Sequence, residues 1–112
     1  MTTITQTQIV APVQLANADA SVYTSATNTS TKIGRAVFVN TTGGALTITA
    51  GITTGGALGA STTMISARTI APGESYVSPE LAGAVIPPGS QLHAYASAAT
   101  SVTFTASGII VQ

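Results

Sequence analysis

Every second residue is apolar in three segments of this sequence, and this alternation limits the fold more than any other feature. The segments span residues 45–50, 91–96 and 101–106, and most of the intervening residues are polar. A repeat of two places the apolar residues on one side of a β-strand, whereas an amphipathic helix needs a repeat near 3.6. The alternation therefore predicts three strands, each with one buried face. The residues predicted to face the core are Leu46, Ile48, Ala50, Leu92, Ala94, Ala96, Val102, Phe104 and Ala106.

Other local signals add a central strand and the turns. Ala36–Val39 is apolar on both faces, which predicts either a central strand or a strand that a neighbour covers. Pro72-Gly73 and Pro88-Gly89 match the two central positions of a type II turn. Asn40–Gly44 predicts a hairpin loop, and Ser78–Leu81 predicts a single 3₁₀ turn or loop.

Short strands with turn signals at regular intervals predict an all-β fold. The architecture expected is an antiparallel β-sandwich or a jelly-roll-like barrel. A chain of 112 residues has room for one such core. We expect residues 20–112 to form this domain and residues 1–19 to form an extended N-terminal arm.

The scarcity of charge indicates how such a domain stays in solution. Residues 36–67 contain no Lys, Arg, Asp or Glu, and only 5% of the whole chain is charged, with a net charge of zero. Soluble domains average about 25% charged residues. Uncharged sheet edges and faces associate readily, because charged side chains are the usual defence against pairing. The composition therefore predicts that sister subunits or a larger assembly cover these surfaces, and that the isolated protein is an oligomer.

The same composition offers little for catalysis, metal binding or nucleic acid. The chain has no cysteine and a single histidine, His93, and its acids Asp19, Glu74 and Glu80 lie in separate turns or loops. A metal needs three or four ligands and a general base needs a positioned partner, so we expect no catalytic site, no metal and no cofactor. Three cationic residues are too few for a phosphate-binding stripe, which predicts no nucleic-acid partner. Threonines and glycines interrupt the uncharged stretch, so no membrane span is expected.

Two groups of uncharged side chains are the candidate partner contacts. One is the polar face of the strand at 91–96, and the other is the N-terminal arm, whose first ten residues carry no charged side chain. An extended arm can add a strand to the sheet edge of a neighbouring subunit. Two alternatives stay open, namely that the polar face only meets solvent and that the arm is an edge strand of its own sheet. The candidate contact residues are Ile4, Gln6, Gln8, Ile9, Gln91, His93 and Tyr95.

Three stretches give the chain a resemblance to a known family. They are VFVNTTGGALTI at 37–48, IAPGESYV at 70–77, and the run from LHAYAS at 92–97 to VTF at 102–104. Over about residues 20–112 the chain resembles the small all-β virion proteins of tailed bacteriophages, which include capsid decoration (cement) proteins. The resemblance implies a non-enzymatic β-sandwich protein that binds the outside of a capsid, often as a trimer, and clamps neighbouring shell subunits. It also implies that the partners are the major capsid protein or other virion proteins.

Two other functions are compatible with the same sequence. Related small folds serve in the neck, tail or head fibres of virus particles, so the position in the particle stays open. A carbohydrate-binding or adhesin module is the alternative from a different class. Sugar sites usually rely on exposed aromatic platforms, and this chain has no tryptophan and three tyrosines, Tyr23, Tyr76 and Tyr95.

Overall fold

The computed structural model describes residues 3–59 and 61–112, and these residues form nine β-strands. The strands are β1 (Ile4–Gln14), β2 (Ser21–Thr24), β3 (Ser30–Asn40), β4 (Leu46–Thr53), β5 (Thr63–Ile70), β6 (Ser75–Val77), β7 (Val85–Ile86), β8 (Gln91–Ala96) and β9 (Val102–Val111). Within these two ranges, no helix has the length and apolar character needed to span a bilayer.

The strands form two antiparallel sheets packed into a sandwich. The large sheet has the order β1-β9-β3-β6, with β7 paired to another stretch of β3, and the small sheet has the order β2-β8-β4-β5. When β6 and β7 are counted as one interrupted strand, the first strand pairs with the last, the second with the next to last, and so on inward. This nested pairing is a long hairpin rolled into two sheets, which is the connectivity of a jelly roll. The predicted antiparallel β-sandwich is confirmed.

The core lies between the sheets and contains the side chains that the alternation predicts. Eight of those nine residues are buried, and Leu46 is partly buried against them. Phe38 of β3 and Phe104 of β9 are fully buried, with their ring centroids 4.6 Å apart. The predicted central strand is also confirmed, because β3 pairs with β9 on one side and with β6 and β7 on the other.

The N-terminal segment is an edge strand of the large sheet rather than a free arm. β1 pairs with β9 from Ile4, opposite Val111, to Gln14, opposite Thr103, with two shifts of register on the way. Ile9 and Val10 are both buried in the core next to the first shift. The expectation of a separate arm is therefore wrong for residues 4–14, because burying these two side chains ties the strand to its own domain.

Both Pro-Gly corners adopt the predicted turn. Gly73 has φ +71° and Gly89 has φ +79°, and the next amide donates to the carbonyl three residues back at 3.0 Å in each case. The segment after β6 forms a single turn, as predicted, in which the Ser78 hydroxyl accepts a hydrogen bond from the Leu81 amide at 3.1 Å. Side-chain capping of this kind satisfies an amide that the turn itself leaves free.

The predicted hairpin at Asn40–Gly44 is wrong, because β3 and β4 lie in different sheets. The buried Asn40 side chain holds this crossing together. Its amide nitrogen donates to the carbonyls of Gly44 at 2.8 Å and Ile70 at 3.0 Å, and its oxygen accepts from the Thr42 amide at 3.0 Å. A buried amide with all these partners costs little to bury and fixes where the chain changes sheets.

Candidate assembly surfaces

A loop of the same chain covers the part of the small sheet's outer face around His93. His93 points to that face, since its neighbours Leu92 and Ala94 face the core, yet only 7% of His93 is exposed. Its Nδ1 donates to the Asp19 carboxylate at 2.8 Å, and its Nε2 lies 2.8 Å from the Gln91 side-chain oxygen. The second carboxylate oxygen of Asp19 accepts from the Leu58 amide at 2.9 Å. Asp19 therefore joins His93 to the loop between β4 and β5.

A glycine in β4 lets this loop lie directly on the sheet. Gly51 is opposite His93 in the register of β4 and β8. A side chain at Gly51 would collide with the carbonyl oxygen of Thr62 and would stand 2.9 Å from a methyl carbon of Leu58. The absence of a side chain at this position is what brings the loop close enough to shield His93.

The electrostatics of this contact favour the ionised Asp19. Burial alone would raise its pKa, but the hydrogen bond from the Leu58 amide, followed by the hydrogen bond and charge of His93, lowers the pKa below its ordinary value. A carboxylate can only accept hydrogen bonds, so Nδ1 of His93 is the donor in this contact. Asp19 and His93 therefore have a structural role, which is to hold the loop against the small sheet.

The outer face of β8 therefore differs from the predicted contact ridge. His93 is covered by its own chain, and Gln91 and Tyr95 are half-buried. The contact proposed for His93 is replaced by its internal bonds with Asp19 and Gln91. The alternation located the inward face of β8 correctly, but it held no information about a loop that folds over the outward face.

A second polar cluster closes the gap between the sheets at β5 and β6. The guanidinium of Arg68 lies 4.3 Å from the centre of the Tyr76 ring, and the Tyr76 hydroxyl donates to Glu80. The hydrogen bond from Tyr76, with that from Ser78 and the charge of Arg68, lowers the pKa of Glu80 against the effect of burial. Burial and the Glu80 carboxylate raise the pKa of Tyr76. These groups satisfy one another, so the cluster stabilises an open edge of the sandwich.

Neither cluster has the composition of a metal site. Over residues 3–59 and 61–112, no three His, Cys, Asp or Glu side chains lie close enough together to hold a metal ion.

No described loop covers the outer face of the large sheet in this way. Residues opposite one another in the register share a face, and one outward row runs across four strands as Gln6, Ile109, Lys32 and Val85. A second row contains Thr105, Val37 and Val77. We call this surface, on strands β1, β9, β3, β6 and β7, the outer face.

A β-bulge places two cations side by side on the outer face. Lys32 and Arg35 are three residues apart, so on a regular strand they would point to opposite sides. The register shifts between Ile33 and Arg35, and the two cations are opposite Ile109 and Ser107, which are two residues apart on β9. Gly34 is the extra residue, and a glycine inside a strand is the sequence signal for a bulge. Neither cation was recognised from the sequence as a site residue.

Exposed apolar side chains concentrate on the strands of the same sheet. Among the described residues, four of the five large apolar side chains that are exposed lie there, and three of them, Ile4, Val77 and Val85, point from the outer face. Gln8 joins this surface through a 3.4 Å hydrogen bond from its amide to the Thr105 hydroxyl. Shallow depressions between β1, β9 and β3 are lined in part by Gln6, Gln8 and Arg35.

Of the predicted contact residues in the N-terminal segment, three are exposed and one is buried in the core. Ile4, Gln6 and Gln8 are exposed on the outer face, with Ile4 65% exposed. Ile9 is in the core at 9% exposure and is not available to a partner. The opposite directions of Ile4 and Ile9 agree with their spacing of five residues.

Comparison with known proteins identifies the fold. No protein-family model matches the sequence, and no curated protein matches it. The structure of the infectious bursal disease virus Gx strain matches 99% of this chain with a TM-score of 0.56 and 16% identity. The VP2 subviral particle of infectious bursal disease virus matches 98% of the chain with a TM-score of 0.55 and 17% identity. A crystal structure of the T13 viral particle of infectious bursal disease virus matches 98% of the chain with a TM-score of 0.52 and 12% identity.

This chain spans about a third of the length of each of those chains, namely 32%, 32% and 30%. At such low sequence identity the likeness shows a shared fold, in agreement with the nested strand pairing described above.

Proposed function

We propose that this chain is a non-enzymatic structural subunit of a virus particle, and that it decorates the outside of a tailed-bacteriophage head. The observation that carries the proposal is a jelly roll, matched over nearly the whole chain by proteins of viral particles. The resemblance to phage virion proteins found in the sequence points the same way. Jelly rolls also occur in other protein classes, so the fold alone does not carry the role.

The chemistry of the surface supports an assembly role. The outer face combines exposed apolar side chains with uncharged threonines and glutamines, and no acid lies in either of its outward rows. A face of this kind is suited to burial against another protein that pairs its two cations, Lys32 and Arg35, because exposed apolar area favours docking and only an unpaired charge is costly to bury. The two side-chain clusters that carry the acids Asp19 and Glu80 instead hold the domain together.

In this proposal the protein acts by clamping the shell. A subunit bound across the junction of capsid proteins adds interface area without any chemical step. We propose a trimer as the binding unit, with the major capsid protein as the partner and the capsid surface as the location. Several copies that bind together gain avidity from their linkage.

Counting the protein in purified particles tests this function. Quantitative mass spectrometry should find hundreds of copies for each particle if the protein decorates the shell. A dozen copies or fewer would favour the neck, tail or fibre role instead. Particles that contain none of the protein would contradict a virion role altogether.

A sugar-binding role has less support from the structure. Tyr23, Tyr76 and Tyr95 are each half-buried, so none presents an open ring as a platform. The Tyr23 hydroxyl is engaged with the Thr31 hydroxyl at 2.9 Å, and the Tyr76 ring is engaged by Arg68. Binding to a glycan array would revive this alternative.

A further inference from the structure

We propose that the outer face of the large sheet docks onto an acidic surface of another polypeptide, through Lys32 and Arg35. This inference rests on the proposed function, because it assigns the contact surface of the virion subunit and takes a shell protein as the partner. It also goes further, since it states the charge that the partner must present.

The acids and the cations of the chain differ in their partners. All three acids accept hydrogen bonds inside the domain. Asp19 accepts from His93 and Leu58, Glu74 accepts from the Ala71 amide at 2.9 Å, and Glu80 accepts from Tyr76.

The cations of the outer face are different. Over the described part of the chain, the side chains of Lys32 and Arg35 have neither an ion pair nor a hydrogen bond. Both side chains are exposed, and the bulge at Gly34 directs them to the same side of the sheet. A chain with zero net charge therefore displays two unpaired positive charges on one face.

This charge arrangement decides between a second copy and a different partner. Two copies joined through this face by a two-fold axis would bring the same cations together, which opposes association. The acids of a second copy are already engaged in its own hydrogen bonds. The complementary surface is therefore one that supplies free carboxylates from another polypeptide, and a guanidinium such as that of Arg35 binds a carboxylate with two parallel hydrogen bonds.

The apolar residues around the cations make the contact stronger and more specific. Val85 lies beside Lys32 in the same outward row, and it is 52% exposed. Val77, 49% exposed, lies in the outward row that follows the row of Arg35. Docking would remove water around both cations, so each charge pair would operate at a lower effective dielectric than on a free surface.

A chemical feature of the chain makes the test direct, because Lys32 is its only lysine. A water-soluble carbodiimide activates a carboxylate, the Lys32 amine then displaces the reagent as a urea, and an amide bond remains. Intact purified particles are treated with this reagent, digested and analysed by mass spectrometry. The expected product joins Lys32 to an Asp or Glu of a different particle protein, and Lys32→Gln should abolish it.

Each other result of this experiment has a defined meaning. A product that joins Lys32 to Asp19, Glu74 or Glu80 of a second copy would overturn the choice of partner. Particles that contain the protein but yield no Lys32 product would overturn the inference and leave the proposed function intact. Particles that lack the protein would contradict the proposed function, and they would also exclude the shell protein as the partner.

A pair of charge variants tests the same surface by affinity. The double variant Lys32→Gln, Arg35→Gln lowers the net charge by two. The control is the double variant Thr24→Glu, Thr69→Glu, which lowers the net charge by the same amount at the exposed edge strands of the small sheet. Binding to particles assembled without the protein should weaken by roughly tenfold or more for the first variant and little for the control. Equal weakening of both variants would mean that net charge, rather than this face, governs attachment.

Discussion

Replacing Gly51 by alanine would place a methyl group between the small sheet and the loop that covers it. The methyl would collide with the Thr62 carbonyl and press on Leu58, whose nearest methyl carbon stands 2.9 Å away. The sheet cannot yield easily, because β4 is paired on both sides. We expect the loop to move outward and the hydrogen bond from Leu58 to Asp19 to break.

The cost of this change follows from the two ways of relieving the collision. Squeezing an extra methyl group into a packed site costs roughly 1–3 kcal/mol. Opening the loop instead loses a hydrogen bond to a charged group, which is worth roughly 1.5–3 kcal/mol. Either route destabilises the fold by about 2 kcal/mol, which for a chain of this length lowers Tm by roughly 8 °C.

Hydrogen exchange and thermal melting measure both effects. Gly56→Ala is the matched control, because it lies in the same loop with no atom within 4 Å of the added methyl group. Gly51→Ala should lower Tm and speed amide exchange at Leu58, whereas Gly56→Ala should leave both nearly unchanged. Unchanged exchange at Leu58 in Gly51→Ala would refute the covering loop, and the small sheet would then be as available to partners as the large one.

Three further predictions concern the stability of the domain. The pKa of Asp19 is lowered in the folded state from its ordinary 3.8, so the carboxylate stabilises the fold fully above pH 3.8 and loses this effect as the pH falls through the folded pKa. In Asp19→Asn the free energy of unfolding should therefore depend less on pH over that acidic range. Phe104→Ala, which removes a ring 4.6 Å from that of Phe38, should cost about 3–5 kcal/mol in denaturant unfolding, and a loss below 1 kcal/mol would contradict the described core. Deleting residues 2–10 should abolish cooperative melting, since it removes the buried Ile9 and Val10 and more than half of β1. An unchanged melting curve would restore the docking-arm interpretation.

The strands and corners were predictable because their signals are local. The alternation at 91–96 is set by residues two apart, and the Pro-Gly pairs specify their turns within four residues. Leu92 and Phe104 are buried as predicted, and Gly73 and Gly89 have the expected positive φ.

The features that shape the assembly surface depend on distant residues and could not be predicted in the same way. The jelly-roll order requires β1 to pair with β9 at the other end of the chain, from Ile4 with Val111 to Gln14 with Thr103. His93 is covered by a loop whose position depends on Asp19 and Gly51. The bulge at Gly34 reverses the direction of one cation, and this glycine lies outside the strand predicted at Ala36–Val39.

Electron cryomicroscopy of the particle made by cells that carry the gene is the decisive test of the decoration role. We expect density for a nine-stranded jelly roll on the outside of the shell, with the large sheet toward the shell protein and carboxylates opposite Lys32 and Arg35. A map of the complete particle in which no density fits this jelly roll would rule out that role.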